Sequence, residues 1–156
     1  MRLWHKDLIS VLPRKQLLAQ WRECCAIASN IANKGTPNHL LVNKMLDYSQ
    51  VHFTLYVNMI LDEMKRRSYK MSERSYLTLC ENFRKGSQYF SQGKSLILNK
   101  NIYEDWMNDR YLLQCYCNLQ EKHDCGGITD EEWNKIAFSE VIKNLLGNID
   151  HVIYWA

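Results

Sequence analysis

The stretch PRKQLLAQWRECCAIASNIAN, Pro13 to Asn33, decides the fold. With each residue turning about 100° around a helix axis, Leu17, Trp21, Cys24, Ala28 and Ile31 collect on one side, which predicts an amphipathic helix of about six turns with a core-facing stripe. Pro13 suits a first helical turn, where a missing N–H costs nothing, and Gly35 followed by Pro37 stops the helix. Glu23 falls at the edge of the apolar stripe, in line with Gln16, Ala19, Ala26 and Asn30. Arg22 projects one step further round, near Lys15 and Ser29. A carboxylate among small and amide side chains, beside a basic stripe, has room for a ligand. On the helix wheel alone the same two charges also read as surface groups whose contacts contribute a few tenths of a kcal/mol.

Outward from this helix the apolar spacing stays at three and four, and Pro13 and Pro37 are the only prolines. The pattern predicts an all-α fold, a single compact domain over residues 1–156. Asn38 is the expected N-cap of a region reaching Ser72, with one or two helices that end where Lys65, Arg66 and Arg67 complement the negative pole of the dipole. His39 lies in that first turn, where backbone amides can hold a phosphate. A third helix is expected from after Ser72 to near Gly86, then a long surface loop or lid to Lys100, then a fourth helix over about Ile102 to Lys122. The last helix should begin at a capping box, Thr129 with Glu132, with Ile128 and Trp133 as its hydrophobic staple, and run to Gly147. The closing HVIYWA should dock on the body or face a ligand.

The 156 residues, 46% hydrophobic and 24% charged, suit one domain with a real core. A net charge of +3 permits a polyanionic partner only through local clustering. MKRRSYK, Met64 to Lys70, is such a cluster: Lys65, Arg66, Arg67 and Lys70 with Tyr69 among them suit phosphate contact and stacking, and equally suit a solvated helix end. The start MRLWHKDLIS lacks a secretory core, and no run nears the roughly 18 apolar residues of a membrane helix, so reduced thiols in a cytoplasmic protein without membrane association are expected. His5, beside Lys6, reads as a surface residue, with tuning of the nearby N-terminal amine's protonation or contact to DNA as the sharper alternatives. Cys115, Cys117, His123 and Cys125 lie close together, but the first two point about 200° apart on a helix, so core thiols are favoured over zinc. No cofactor is expected, and no GxSxG, GxGxxG or GxxxxGK occurs.

From Leu8 onward, LISVLPRKQLLAQWRE resembles, without a gap, the N-terminal helix region of the pyrimidine-dimer DNA glycosylase/AP lyases, the family of the phage endonuclease V. Leu8, Ser10, Leu12, Leu17, Ala19, Trp21, Arg22 and Glu23 carry the likeness, which thins to EMKRRSYKMS and HVIYWA farther on. The resemblance implies a small, metal-free, all-α enzyme that flips a nucleotide from the duplex, attacks C1′ with its N-terminal amine and uses a helical glutamate. Glu23 matches that glutamate. Arg2 should block removal of Met1, so Met1 becomes the nucleophile's counterpart and Arg2 the arginine that follows it; the extra residue before Leu8 must then bulge within WHKD. Gln16 stands where the phage enzymes have a histidine, and Ala26 where they have an arginine. The expectation is a monomeric DNA repair glycosylase and lyase acting on damaged or abasic duplex DNA. Met1 and Glu23 would be catalytic, and Arg2, Lys15, Arg22, His39, Lys65, Arg66, Arg67 and Lys70 would bind DNA. The rival is a binding protein that kept the fold and lost the chemistry, recognising DNA or a small nucleotide.

Overall fold

The computed structural model describes residues 2–92 and 101–149. Their regular structure is helical throughout, with no strand among them. Met1, the part of the expected loop from residue 93 to 100, and the HVIYWA tail lie outside the described residues. The described chain divides into two compact units: Leu18–Tyr103 together with Arg2 and Leu3, and Trp4–Leu17 with the chain from Glu104 onward.

Helix α1 runs Arg14–Lys34, and Leu17, Trp21, Cys24, Ala28 and Ile31 are all buried, with Ile27 beside them. It ends as its sequence dictates. The Gly35 amide donates to the Ile31 carbonyl at 2.9 Å, and Gly35 takes a φ of +72° that a side chain resists. The ring of Tyr89 would also lie 3.0 Å from a Cβ at that position.

In the first unit the chain leaves α1 through a corner into the short helix α2 (Leu40–Asn43), a 3-10 turn (Lys44–Asp47) and α3 (Gln50–Arg66). Asn38 is not the cap: it sits in the left-handed region at φ +59°, and His39 occupies the cap position with extended backbone. The side chain that organises the turn is Asn43, whose Oδ1 accepts from the His39 amide at 3.1 Å and from the Thr36 hydroxyl at 3.0 Å. Local hydrogen bonding from an amide four residues downstream outcompetes the ordinary cap. Helix α4 (Glu73–Gly86) starts at Ser72, whose hydroxyl accepts from Ser75 N. Gly86 is required by a close approach, because a Cβ there would meet Ile31 Cγ2 at 3.0 Å and the Ala32 backbone at 3.4 Å.

The second unit holds a 3-10 turn (Lys6–Val11) and α5 (Asp109–Asp124), α6 (Asp130–Ala137) and α7 (Glu140–Gly147). Two boundaries differ from expectation. The fourth helix begins at Asp109, because Asn108 Oδ1 accepts from Tyr111 N at 3.1 Å and starts the helix there. Before it, Ile102, Tyr103, Trp106 and Met107 are buried in turns, with Tyr103 at φ +53°. Apolar spacing alone does not separate a buried turn from a helix. The last helix is two: the capping box of Thr129 and Glu132 forms as expected, but α6 stops at Phe138, and Ser139 opens α7 after its hydroxyl donates to the Ile136 carbonyl at 2.6 Å. Trp133 stacks on His123, with ring centroids 5.3 Å apart. No described helix is long and apolar enough to cross a membrane.

Candidate active site

Glu23 and Gln20 lie about one helical turn apart on α1, a spacing that lets them take the two backbone groups of a single residue of the N-terminal segment. That residue is Arg2. Its amide N–H donates to Glu23 Oε2 at 3.1 Å, and its carbonyl accepts from Gln20 Nε2 at 2.9 Å. Gln20 has no exposed surface, and its Oε1 accepts from the Tyr56 hydroxyl of α3 at 3.1 Å. The amide is thereby oriented: with its oxygen held by Tyr56, its nitrogen must face Arg2. Leu3, the next residue, is fully buried and anchors the segment.

Gln20 and Tyr56 were not among the expected site residues, yet the signal was present. On the helix wheel Gln20 falls between Ile27 and Ile31, inside the apolar sector, and a buried amide there requires partners. Glu23 itself is half-buried at the rim of that sector.

Other candidates fall at several places. Arg22 and Lys15 are exposed on α1. Ala26 is exposed, and Gln16 Oε1 is buried with no hydrogen-bond partner. His39 lies in the corner after α1, half-buried, with Nδ1 also lacking a partner. Asn30 Nδ2 donates to the Pro37 carbonyl at 3.3 Å, which ties that corner to the α1 face carrying Glu23. The basic cluster sits at the far end of α3, roughly 14 Å along the axis from Tyr56 to Lys65. It does not join Arg2 and Glu23.

Within that cluster the sequence concealed a carboxylate. Glu63 is buried and takes the fork of Arg66 at 2.6 and 2.9 Å and Arg67 Nε at 2.6 Å. Burial pushes its carboxyl up, but the hydrogen bonds and charges of the two arginines outweigh burial and hold it below the usual range. Lys65 and Lys70 stay exposed. Beside them Leu61, Met64, Lys65, Tyr69 and Met71 line a cavity of about 430 Å³, with Ser68 turning the chain at φ +59°.

Several nucleophiles are ruled out by their surroundings. Burial raises the Cys24 thiol far above its usual value and pushes Cys25 up to about 11, so neither supplies thiolate at neutral pH. His5 is a buried residue of the second unit, contrary to its surface reading. One ring nitrogen pairs with the Met107 carbonyl at 2.8 Å, and the other accepts from the Asp7 amide at 3.2 Å. These bonds fix the neutral tautomer with Nε2 protonated. Among the described residues no group of three His, Cys, Asp or Glu side chains is placed to hold a metal ion. His123 instead pairs with Asp130 at 2.7 Å.

The family model for pyrimidine dimer DNA glycosylase matches residues 1–77. The match spans the N-terminal segment, α1 to α3 and the first turn of α4, and so contains every candidate residue named above from Arg2 to Lys70. Over those residues, just under half of the chain, the protein is similar to the pyrimidine dimer DNA glycosylase family. No curated protein and no solved structure matches the chain.

Proposed function

We propose that the protein is a DNA repair glycosylase with an associated lyase step, in which the α-amine of Met1 is the nucleophile and Glu23 the carboxylate that works with it. The observation that carries this reading is the bond from the Arg2 amide to Glu23. The Arg2 amide, the backbone group next in the chain to the proposed amine, is held at the Glu23 carboxylate, which supports a reading in which the two work together.

The groups suit the chemistry. An α-amine has a pKa near 8, so a usable neutral fraction exists at neutral pH. The neutral amine adds to C1′ of the damaged nucleotide, and the base departs with the electron pair of the glycosidic bond and takes up a proton. Opening of the sugar at C1′–O4′, with a proton delivered to O4′, leaves a protonated Schiff base. Removal of the C2′ proton then expels the 3′ phosphate by β-elimination and nicks the strand. Glu23, as a carboxylate, stabilises the cationic sugar and relays these protons. Gln20 and Tyr56 act as positioning residues, because they fix the path of the segment bearing the amine. Arg2, Arg22, Lys15 and His39 contact the phosphates around the flipped nucleotide, with Lys65 and Lys70 farther along the duplex. With Gln16 and Ala26 in place of the histidine and arginine of the phage enzymes, the lesion is proposed at the level of damaged or abasic duplex DNA. A monomer suffices for this chemistry.

Borohydride reduction on an abasic duplex tests the proposal. The expected result is a covalent protein–DNA adduct that maps to the Met1 amine by peptide mass. No adduct from protein that binds the duplex would leave a binding protein of the same family.

A further inference from the structure

Leu40 is 92% exposed and Leu41 53% exposed, side by side in α2. Single exposed leucines are ordinary, but these two stand on a corner built with unusual care. Asn43 Oδ1 holds both the Thr36 hydroxyl and the His39 amide, Thr36 Oγ1 accepts from the Asn38 amide at 3.1 Å, and Asn30 pins Pro37. Asn38 is held at φ +59° to make the bend. Backbone strain at a residue other than glycine is costly and persists where the surroundings enforce it. The product of this scaffold is a rigid apolar tip with the exposed cations Lys34 and Lys44 near it in sequence and the exposed Asp47 one turn beyond.

We propose that Leu40 and Leu41 form a wedge that enters a base step of duplex DNA and kinks it, a role that rests on the DNA reading above. The corner is tied to α1 at Asn30, which lies in line with Glu23 and about 10 Å along the helix from it. Pro37, three residues before the tip, is thereby tied to the helix that carries Glu23. A wedge must be apolar, exposed and rigid, since it replaces base stacking with side-chain contact, and cations beside it take the phosphates of the opened step. The leucine tip has these properties, and it falls within the residues matched by the family model.

The test uses the full chain and an end-labelled duplex carrying a central tetrahydrofuran abasic analogue, with bending read by energy transfer between the end dyes. Leu40→Ala/Leu41→Ala is expected to abolish the bend and weaken binding by about tenfold to a hundredfold, the scale set by burying one leucine side chain. Its thermal melt should match the parent because both side chains are solvent-exposed. Binding to a duplex already bent by an unpaired bulge should recover. Leu77→Ala, which removes another exposed leucine on α4, should change neither bend nor affinity. A double variant that bends DNA like the parent overturns the wedge, as does a parent that cleaves DNA without bending it. A parent dimer that the double variant dissociates also overturns it, making the tip a contact between copies. A parent that neither binds nor cleaves duplex DNA removes the DNA reading itself.

Discussion

At the scale of single residues, the proposal gives different work to two α1 residues of similar shape, Glu23 and Gln20. Glu23→Gln keeps the bond from the Arg2 amide, since a carboxamide oxygen still accepts, and loses the negative charge. Strand cleavage is expected to fall by about 10²–10⁴-fold with duplex affinity unchanged or slightly tighter, as measured by single-turnover cleavage and by titration. Gln20→Leu roughly preserves volume but removes the bonds to the Arg2 carbonyl and from the Tyr56 hydroxyl. It should cost about 1–3 kcal/mol of stability in a denaturant titration. It should also lower kcat with little change in KM, because the segment bearing the amine is then no longer held in one place. Adding Tyr56→Phe to Gln20→Leu should cost little more, since the two side chains act as one unit. Equal kcat in Gln20→Leu and the parent would show that Gln20 is not a positioning residue.

At the scale of elements, the end of α3 separates two cations paired with a buried carboxylate from two lysines that stay exposed. Lys65 and Lys70 are exposed, whereas Arg66 and Arg67 converge on Glu63. Lys65→Ala and Lys70→Ala should each reduce the slope of log affinity against log salt by about 1 with no change in melting temperature. Arg67→Ala should instead lower the melting temperature, because it removes a partner from a buried carboxylate, and a melt distinguishes it from the lysine variants at once. The capping box behaves as a purely structural element. Thr129→Ala is expected to cost about 1 kcal/mol in a chemical denaturation curve while leaving cleavage untouched.

At the scale of the whole molecule, stability should fall in acid in two separate windows. His5 is held neutral: burial lowers its pKa, Lys6 adds to that, and Asp7, Asp109 and the Met107 carbonyl only partly oppose it. The unfolded chain takes up a proton on this histidine near 6.5 and the folded chain does so at lower pH. The unfolded state thus binds more protons in that interval, and stability declines as pH drops below about 6.5. Glu63 has the opposite charge type and the same direction. Its lowered folded pKa contributes stability above the ordinary carboxyl range that is lost as pH falls below about 4.5. Melting temperatures from pH 8 to 3 should show both steps, and His5→Asn should flatten the first while sparing the second.

Local patterns made much of this protein legible. The apolar stripe of α1, its stop at Gly35, the start of α4 after Ser72 and the box at Thr129 each depend on residues within a few positions of one another, so the sequence by itself determined them. The Arg-Glu pair of α1 was likewise visible, because a charge at the rim of an apolar sector stands out on a wheel. Tertiary structure decided what those side chains meet. Whether Gln20 is a buried flaw or a clamp depends on Arg2 and Tyr56, which approach it from distant points in the chain. The start of α5 was hidden because Tyr103 and Trp106 bury themselves from a turn with helix-like spacing, and the pairing of Arg66 and Arg67 with the buried Glu63 was not visible from the run of cations alone. Periodicity reports which face of a segment is apolar, but only packing brings donors and acceptors from separate segments to hydrogen-bonding distance, and that pairing selects their partners.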